Sequence, residues 1–205
     1  MKRLALLAGL LLALTALCGC TAADPYEGVP NPIATITMDD GSVMTAELYL
    51  RIAPNTVSNF VTLANAGFYD GLLIHRIIPG VLIQTGDPTG LGSGGTSYTI
   101  RGEFSDNGFA NDLSHTRGVI SMCRLESDYN SASSQFFIMQ GSYPGDYDGK
   151  YAAFGKLTDD ASLAVLDELG STPVDSSGKP LVEHRVATIR VDTFGYEYTV
   201  KKIED

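Results

Sequence analysis

The spacing of apolar and polar residues changes several times along this chain, and each change marks an element. Ala34–Met38 and Val43–Leu50 are rich in β-forming residues and flank Asp39-Asp40-Gly41-Ser42, a strong hairpin signal. From Pro54 to Gly67 the period lengthens, so that Val57, Phe60, Val61 and Ala64 fall at i, i+3, i+4 and i+7 on one face of a helix. Pro54 suits its first turn and Gly67 the position after its last. A second helix is predicted from about Thr158 to Leu169: Thr158 caps it, Asp159 and Asp160 occupy the first turn, Val165, Leu166 and Leu169 face inward, and Gly170 stops it. Strand-like runs at Val81–Thr85, Val119–Met122, Gln135–Met139, Ala153–Leu157 and Val186–Val191 lie between glycine-rich loops. The pattern predicts a mostly β domain with two helices, and alone it permits a barrel or a sandwich.

The first residues follow a different logic. Lys2 and Arg3 precede an apolar run from Leu4 to Leu17, short for a permanent membrane span and suited to a signal-peptide core. It ends in Leu17-Cys18-Gly19-Cys20, which resembles a bacterial lipobox, so the expectation is an exported protein cleaved after Gly19 and lipidated on Cys20. A plain secretory signal with two incidental cysteines is the simpler alternative; the small residue before Cys20 and the polar Thr21 after it favour lipidation. Residues 1–19 would be the signal and 20–32 a lipid-anchored tether, small, polar and containing Pro25, Pro30 and Pro32. Residues 33–205 would form one domain, long enough for a sizeable core. The expected location is the cell envelope: the outer face of a cytoplasmic membrane, or the periplasm where an outer membrane exists.

Charge narrows the partners. The chain has 14 basic and 24 acidic residues, a net −10, and losing Lys2 and Arg3 with the signal takes it to −12. Such a surface repels nucleic acid, and a monomer held to the membrane only by its N-terminal lipid is expected. Of three cysteines, Cys18 would leave with the signal and Cys20 would carry lipid, so Cys123 has no disulfide partner. His75, His115 and His184 lack metal-ligand spacing, and no metal or cofactor is expected. Gly90-Leu91-Gly92-Ser93-Gly94-Gly95 lacks the lysine and following helix of a phosphate cradle and reads as a flexible surface loop. No nucleophile-elbow spelling marks a serine hydrolase.

The most informative segment is Ile74 to Asp87, IHRIIPGVLIQTGD, a strand-turn-strand stretch that sets Arg76 and Gln84 among Ile77, Val81, Leu82 and Ile83. Buried polar groups need partners, so these two either satisfy each other or await a ligand. Farther along come Gly118-Val119-Ile120-Ser121-Met122, then Ser133-Ser134-Gln135-Phe136-Phe137-Ile138, then Asp148-Gly149-Lys150-Tyr151-Ala152-Ala153-Phe154-Gly155. In spelling, order and approximate spacing, from about residue 33 to 192, the chain resembles the cyclophilin family of peptidyl-prolyl isomerases.

That resemblance implies a closed eight-stranded antiparallel β-barrel capped by two helices, acting on Xaa-Pro bonds in proline-containing segments of exported proteins. Rotation about such a bond faces a barrier of roughly 18–20 kcal/mol, because the nitrogen lone pair is delocalised into the carbonyl. A guanidinium donating toward the prolyl nitrogen in a dry pocket favours the twisted amide, and no nucleophile, metal or cofactor is required. By the resemblance Arg76 is the catalytic arginine, Gln84 and Gln135 position the peptide carbonyl or hold the arginine, and Phe137 is the firm member of an apolar proline slot with Val81, Leu82, Tyr147 and Tyr151. His75 is a pocket wall or hydrogen-bonding group, since no proton moves in isomerisation. Cys123, Arg124 and Leu125 match the backbone-binding strand across the groove. Alternation along the strand predicts that one of Phe136 and Phe137 faces the core and the other the groove.

Three departures from the family bear on rate and preference. Val81 stands where a phenylalanine is common, Leu82 where a methionine is, and Cys123-Arg124 where Ala-Asn is. Val81 forfeits aromatic contact, and Arg124 is expected to bring a second cation to the groove. Alignment on Asp148-Gly149 also places Asp146 where high-affinity members carry the tryptophan that binds cyclosporin, and this chain has no tryptophan. The rival to an isomerase is a proline-peptide-binding holdase with weak or no catalysis, and a weaker rival is a lipid-anchored small-ligand receptor. A holdase needs the apolar slot but not an aligned arginine.

Overall fold

The structure, a computed structural model, describes residues 24–203. The expected signal peptide, Cys20 and the first residues of the expected tether lie outside them. Eight strands alternate with three α-helices: β1 (Ile33–Met38), β2 (Val43–Leu48), α1 (Pro54–Asn65), β3 (Arg76–Ile78), β4 (Leu82–Thr85), β5 (Val119–Met122), β6 (Phe136–Met139), α2 (Pro144–Tyr147), β7 (Ala153–Leu157), α3 (Asp160–Gly170) and β8 (Val186–Asp192).

The strands form one antiparallel sheet in the order β3-β4-β6-β5-β7-β2-β1-β8. It is strongly curled but open between β3 and β8, not the closed barrel the resemblance implied. The reason is local. β3 has only three residues, and the N–H of Ile77 goes to Gly178 O at 2.8 Å instead of to β8. The two edges meet only through the residues before β3, where Leu73 bridges Arg185 and Ile74 N–H donates to His184 O at 2.9 Å.

The β1–β2 turn closes as its spelling demands: Met38 N–H reaches Ser42 O at 2.9 Å, and Gly41 sits at φ +87°, where a side chain would strain the backbone. α1 starts on Pro54 and buries Val57, Phe60, Val61 and Ala64, as its period predicted, with Gly67 at φ +75° beyond its end. α3 departs from expectation at both ends. Its cap is Asp159, whose carboxylate accepts from Ser162 N–H at 2.7 Å, while Thr158 turns its hydroxyl to Thr45 O. Gly170 stays helical rather than stopping the helix, and it leaves room for the Gln140 side chain packed against it. α2, a single turn, was not anticipated.

Alternation along the strands builds two cores. One face of the sheet contributes Ile36, Ile77, Ile83, Ile120, Phe136 and Ile138 to the main core, where Phe60 and Phe154 also lie. The other face contributes Leu82, Val119, Phe137, Met139 and Ala153 to a smaller cluster lined by Val81, Tyr147 and Tyr151. Phe136 and Phe137 thus point to opposite sides, as period 2 requires. Residues 24–32 lie on the domain: Asp24 pairs with Arg51 at 2.6 Å, Tyr26 and Val29 pack against the main core, and Pro32 O accepts from Leu48 N–H.

Candidate active site

Strand register assembles the site. Arg76 is opposite Gln84, Gln84 opposite Phe137, and Phe137 opposite Ser121, so residues from four strands share one transverse row on the face away from the main core. Arg76 is exposed and makes no ion pair among the described residues. Its Nη1 donates to Gln84 Oε1 at a long 3.4 Å, Gln84 Nε2 donates to Gln135 Oε1 at 2.9 Å, and Gln135 Nε2 donates to Gly94 O at 2.8 Å and Gly92 O at 3.1 Å. The two glutamines therefore tie the arginine to the glycine-rich loop while leaving most guanidinium donors free.

That loop is pinned, contrary to its reading as a flexible surface segment. Asp87 is buried beneath it and accepts from Thr89 N–H at 2.7 Å, the Thr89 hydroxyl at 2.8 Å and Gly92 N–H at 2.5 Å. Burial alone would raise the Asp87 carboxyl, but hydrogen bonds from Gly94, Thr89 and Gly92 outweigh it and hold the pKa at about 2.

Beside the polar half of the row lies the aromatic half. Phe137 is buried, with Tyr147 at 5.6 Å and Tyr151 edge-on at 5.6 Å, and Tyr147 and Tyr151 are 5.5 Å apart. Leu82 is buried in the same cluster, and Val81 lines it half-buried. The expected slot residues are thus together, with a cavity of about 410 Å³ bounded by Val81, Asp146, Tyr147 and Tyr151 at its rim.

Arg124 is held by the aromatic wall. Its guanidinium sits over Tyr129 at 4.7 Å, Tyr151 at 4.8 Å and Phe104 at 5.4 Å, and it donates to the carbonyls of Lys150, Leu125 and Glu126. With Nε, Nη1 and its flat face so engaged, it braces the wall behind Tyr151 while bordering the cavity lined by Gln84, Cys123 and Gln135. Cys123 donates its N–H to Gln135 O at 2.9 Å and borders a cavity with Gln84 and Gln135, and burial pushes its thiol up to about 12, so it is no nucleophile. His75 is buried, burial lowers its pKa, and neither ring nitrogen has a hydrogen-bond partner.

Two supports escaped the sequence. His115 is buried behind Phe137, stacked at 6.0 Å, with Nδ1 2.8 Å from Asp148 Oδ1 and Nε2 3.0 Å from Ser121 Oγ. This is a Ser-His-Asp chain in outline, yet Ser121 is fully buried and cannot meet a substrate, so the chain acts as a brace. The partners lie 33 residues apart in sequence, and no local signal joins them. The turn at 175–179 was equally invisible: Gly178, at φ +84°, lies directly against Ile77 O and the Arg76 side chain. Among the described residues no cluster of His, Cys, Asp and Glu could hold a metal ion.

Residues 33–191 match the family described as cyclophilin type peptidyl-prolyl cis-trans isomerase/CLD. The peptidyl-prolyl cis-trans isomerase ppi1 of Schizosaccharomyces pombe is 45% identical over 136 residues, covering 66% of this chain and 83% of the relative. A Helicobacter pylori peptidyl-prolyl cis-trans isomerase is 43% identical over 136 residues, covering 66% and 79%. Among solved structures, a Cryptosporidium parvum cyclophilin-type isomerase superposes with a TM-score of 0.69 at 32% identity, covering 79% of this chain and 98% of that one. The same protein determined in the presence of the dipeptide Ala-Pro gives 0.68. With the matched span enclosing every residue of the row, the chain belongs to the cyclophilin-type peptidyl-prolyl cis-trans isomerase family, whose reaction is the interconversion of Xaa-Pro bonds.

Proposed function

We propose that this domain, anchored outside the cytoplasm through lipid on Cys20, turns Xaa-Pro bonds in exported proteins, with Arg76 as the donor to the prolyl nitrogen. The observation that carries the reading is the row itself: a guanidinium with free donors stands two strands from an aromatic slot, held by Gln84 and Gln135. The proline ring enters against Phe137, Leu82, Tyr147 and Tyr151. The carbonyl before it meets the glutamine side, and the guanidinium lies beside the nitrogen whose lone pair must localise. Excluding water from the slot strengthens that interaction as the amide twists. A pure holdase would have no use for the aligned arginine.

The compartment rests on Lys2, Arg3, the apolar run and Leu17-Cys18-Gly19-Cys20. Exchange spectroscopy on a short Xaa-Pro peptide tests the activity: line broadening at substoichiometric protein supports it, and binding without exchange favours the holdase. Fractionation tests the anchor. Cys20→Ser is expected to free the protein from membranes or block its processing, Cys18→Ser is not, and an unmodified mature terminus elsewhere refutes the assignment.

A further inference from the structure

Beyond Arg76, on the side away from the aromatic slot, lies a second cavity of about 400 Å³, bounded among others by His75, Arg76, Gln84, Gly92, Ser177 and Lys179. Its chemistry runs against the rest of the molecule. The chain carries a net −10, yet this cavity has two cations in its wall and no carboxylate. Two neighbouring acids lie outside its wall and are hydrogen-bonded elsewhere: Asp87 to Thr89 and Gly92, and Asp175 to Ser177 N–H at 2.8 Å, the Ser177 hydroxyl at 2.6 Å and Lys179 N–H at 3.0 Å. His75, only 8% exposed, forms the floor, with both ring nitrogens sealed from solvent, so the accessible charge in the wall is that of Arg76 and Lys179. The cavity is also preformed, because the turn that supplies Lys179 is tied to β3 through Ile77 N–H and Gly178 O at 2.8 Å.

We propose that this cavity is a specificity subsite for an acidic side chain, Asp or Glu, carried by the substrate within three residues of the proline. Its carboxylate faces Lys179 beside Arg76, above the sealed His75 ring, so acidic flanks bind in preference to amide or basic ones. The inference rests on the isomerase reading of the neighbouring row.

The test compares peptides with Glu, Gln or Lys at each of the three positions on either side of one proline, using the full chain at low salt. At one position kcat/KM for Glu is expected to exceed that for Gln by about three- to fivefold, the range of a partly exposed charge pair, mainly through KM. Lys179→Met should bring this ratio close to one, and high salt should lower it in the unmodified protein. Fluorescence anisotropy gives the same ratio as Kd. A lack of catalysis would then count against the isomerase reading, while the acidic preference is still decided by binding. A Glu/Gln ratio of one at every position, or one that Lys179→Met leaves unchanged, overturns the proposal.

Discussion

The two faces of β4 and β6 carry neighbouring residues with opposite duties. Inward, Ile83 and Ile138 are paired across the register and join a large core in which Phe136 meets Phe60 at 5.2 Å and Tyr69 at 5.5 Å, both edge-on. Outward, Gln84 and Phe137 are paired one step along, in a small cluster completed by tyrosines, a buried histidine and an open slot. The inner face is held by apolar area, which is non-directional and tolerant of detail. The outer face is held by hydrogen bonds between fixed points: Gln84 to Gln135, Gln135 to Gly94, and Asp148 to His115. Stability and positioning are thus separated by one residue of register, and substitutions on adjacent residues should separate them in measurement.

The largest expected effect lies on the inner face. Phe136→Ala removes a fully buried ring from the main core and should cost about 3–5 kcal/mol of unfolding free energy. Phe137→Ala, facing the smaller cluster and the slot, should cost clearly less stability while lowering kcat/KM on proline peptides. Denaturant midpoints at constant m-value check the first statement and exchange rates the second. Equal stability losses would break the comparison.

Arg76→Ala tests the outer face in the opposite sense. The side chain is exposed and its one hydrogen bond to a side chain is 3.4 Å long, so the midpoint should shift little. Activity should fall by about 10²–10³-fold, the scale for removing one preorganised donor. Arg76→Lys should rescue poorly, because an ammonium cannot reproduce the planar fork. A variant as active as the parent would remove Arg76 from the reaction.

The same division explains what the sequence could and could not disclose. Period exposes apolar faces, so α1, the hairpin at Gly41 and the opposed Phe136 and Phe137 were legible without coordinates. Resemblance then supplied Arg76, Gln84, Gln135 and the slot, and register brings them together. The strand-turn-strand reading of Ile74–Asp87 corresponds to β3, its turn and β4, whereas α2, a single turn after Pro144 with no period to show, was lost. Also lost were polar contacts between distant segments, such as His115 with Asp148 and Ile77 with Gly178. Two signals were read incompletely because one residue type serves two purposes. Gly170 gives Gln140 room instead of ending a helix, and Gln140 Oε1 then accepts from Gly80 N–H at 3.0 Å at the β3–β4 turn. Arg124, which the resemblance placed at the groove as a second cation, also finds three rings that only the fold assembles.

A smaller effect should appear at Asp87, where the outer face borrows stability from a buried carboxylate. Its pKa is held at about 2 against 3.8 for the unperturbed group. A depressed folded-state pKa means stabilisation that is present above the unfolded value and lost as pH falls through the folded one. The gap corresponds to about 2 kcal/mol near neutral pH. Asp87→Asn should therefore be less stable than the parent at pH 7, with the difference narrowing between about pH 4 and pH 2. Unfolding in denaturant across that window reads it. A difference constant with pH would show that the loop is held by shape rather than by the charge.

The smallest effect sharpens the rim of the slot. Asp146 lies exposed on α2 and borders the cavity with Val81, Tyr147 and Tyr151; alignment on Asp148-Gly149 matches it to the tryptophan expected in cyclosporin-binding members of the family. A tryptophan there would add an N–H donor, worth about 0.5–1.5 kcal/mol, together with apolar contact. Asp146 instead presents a carboxylate that an apolar macrocycle must desolvate, next to a Val81 that supplies no ring. Cyclosporin should therefore inhibit this protein at least about tenfold less tightly than a tryptophan-bearing relative, since about 1.4 kcal/mol is a factor of ten. Asp146→Trp should recover much of that difference. Turnover of short proline peptides should change little, because the rim stands outside the Arg76–Gln84–Phe137 row. Inhibition titrations on parent and variant decide the matter. Tight inhibition of the parent would mean that the slot binds the drug without help from its rim, and that Val81, Tyr147 and Tyr151 supply the contact here assigned to the missing indole.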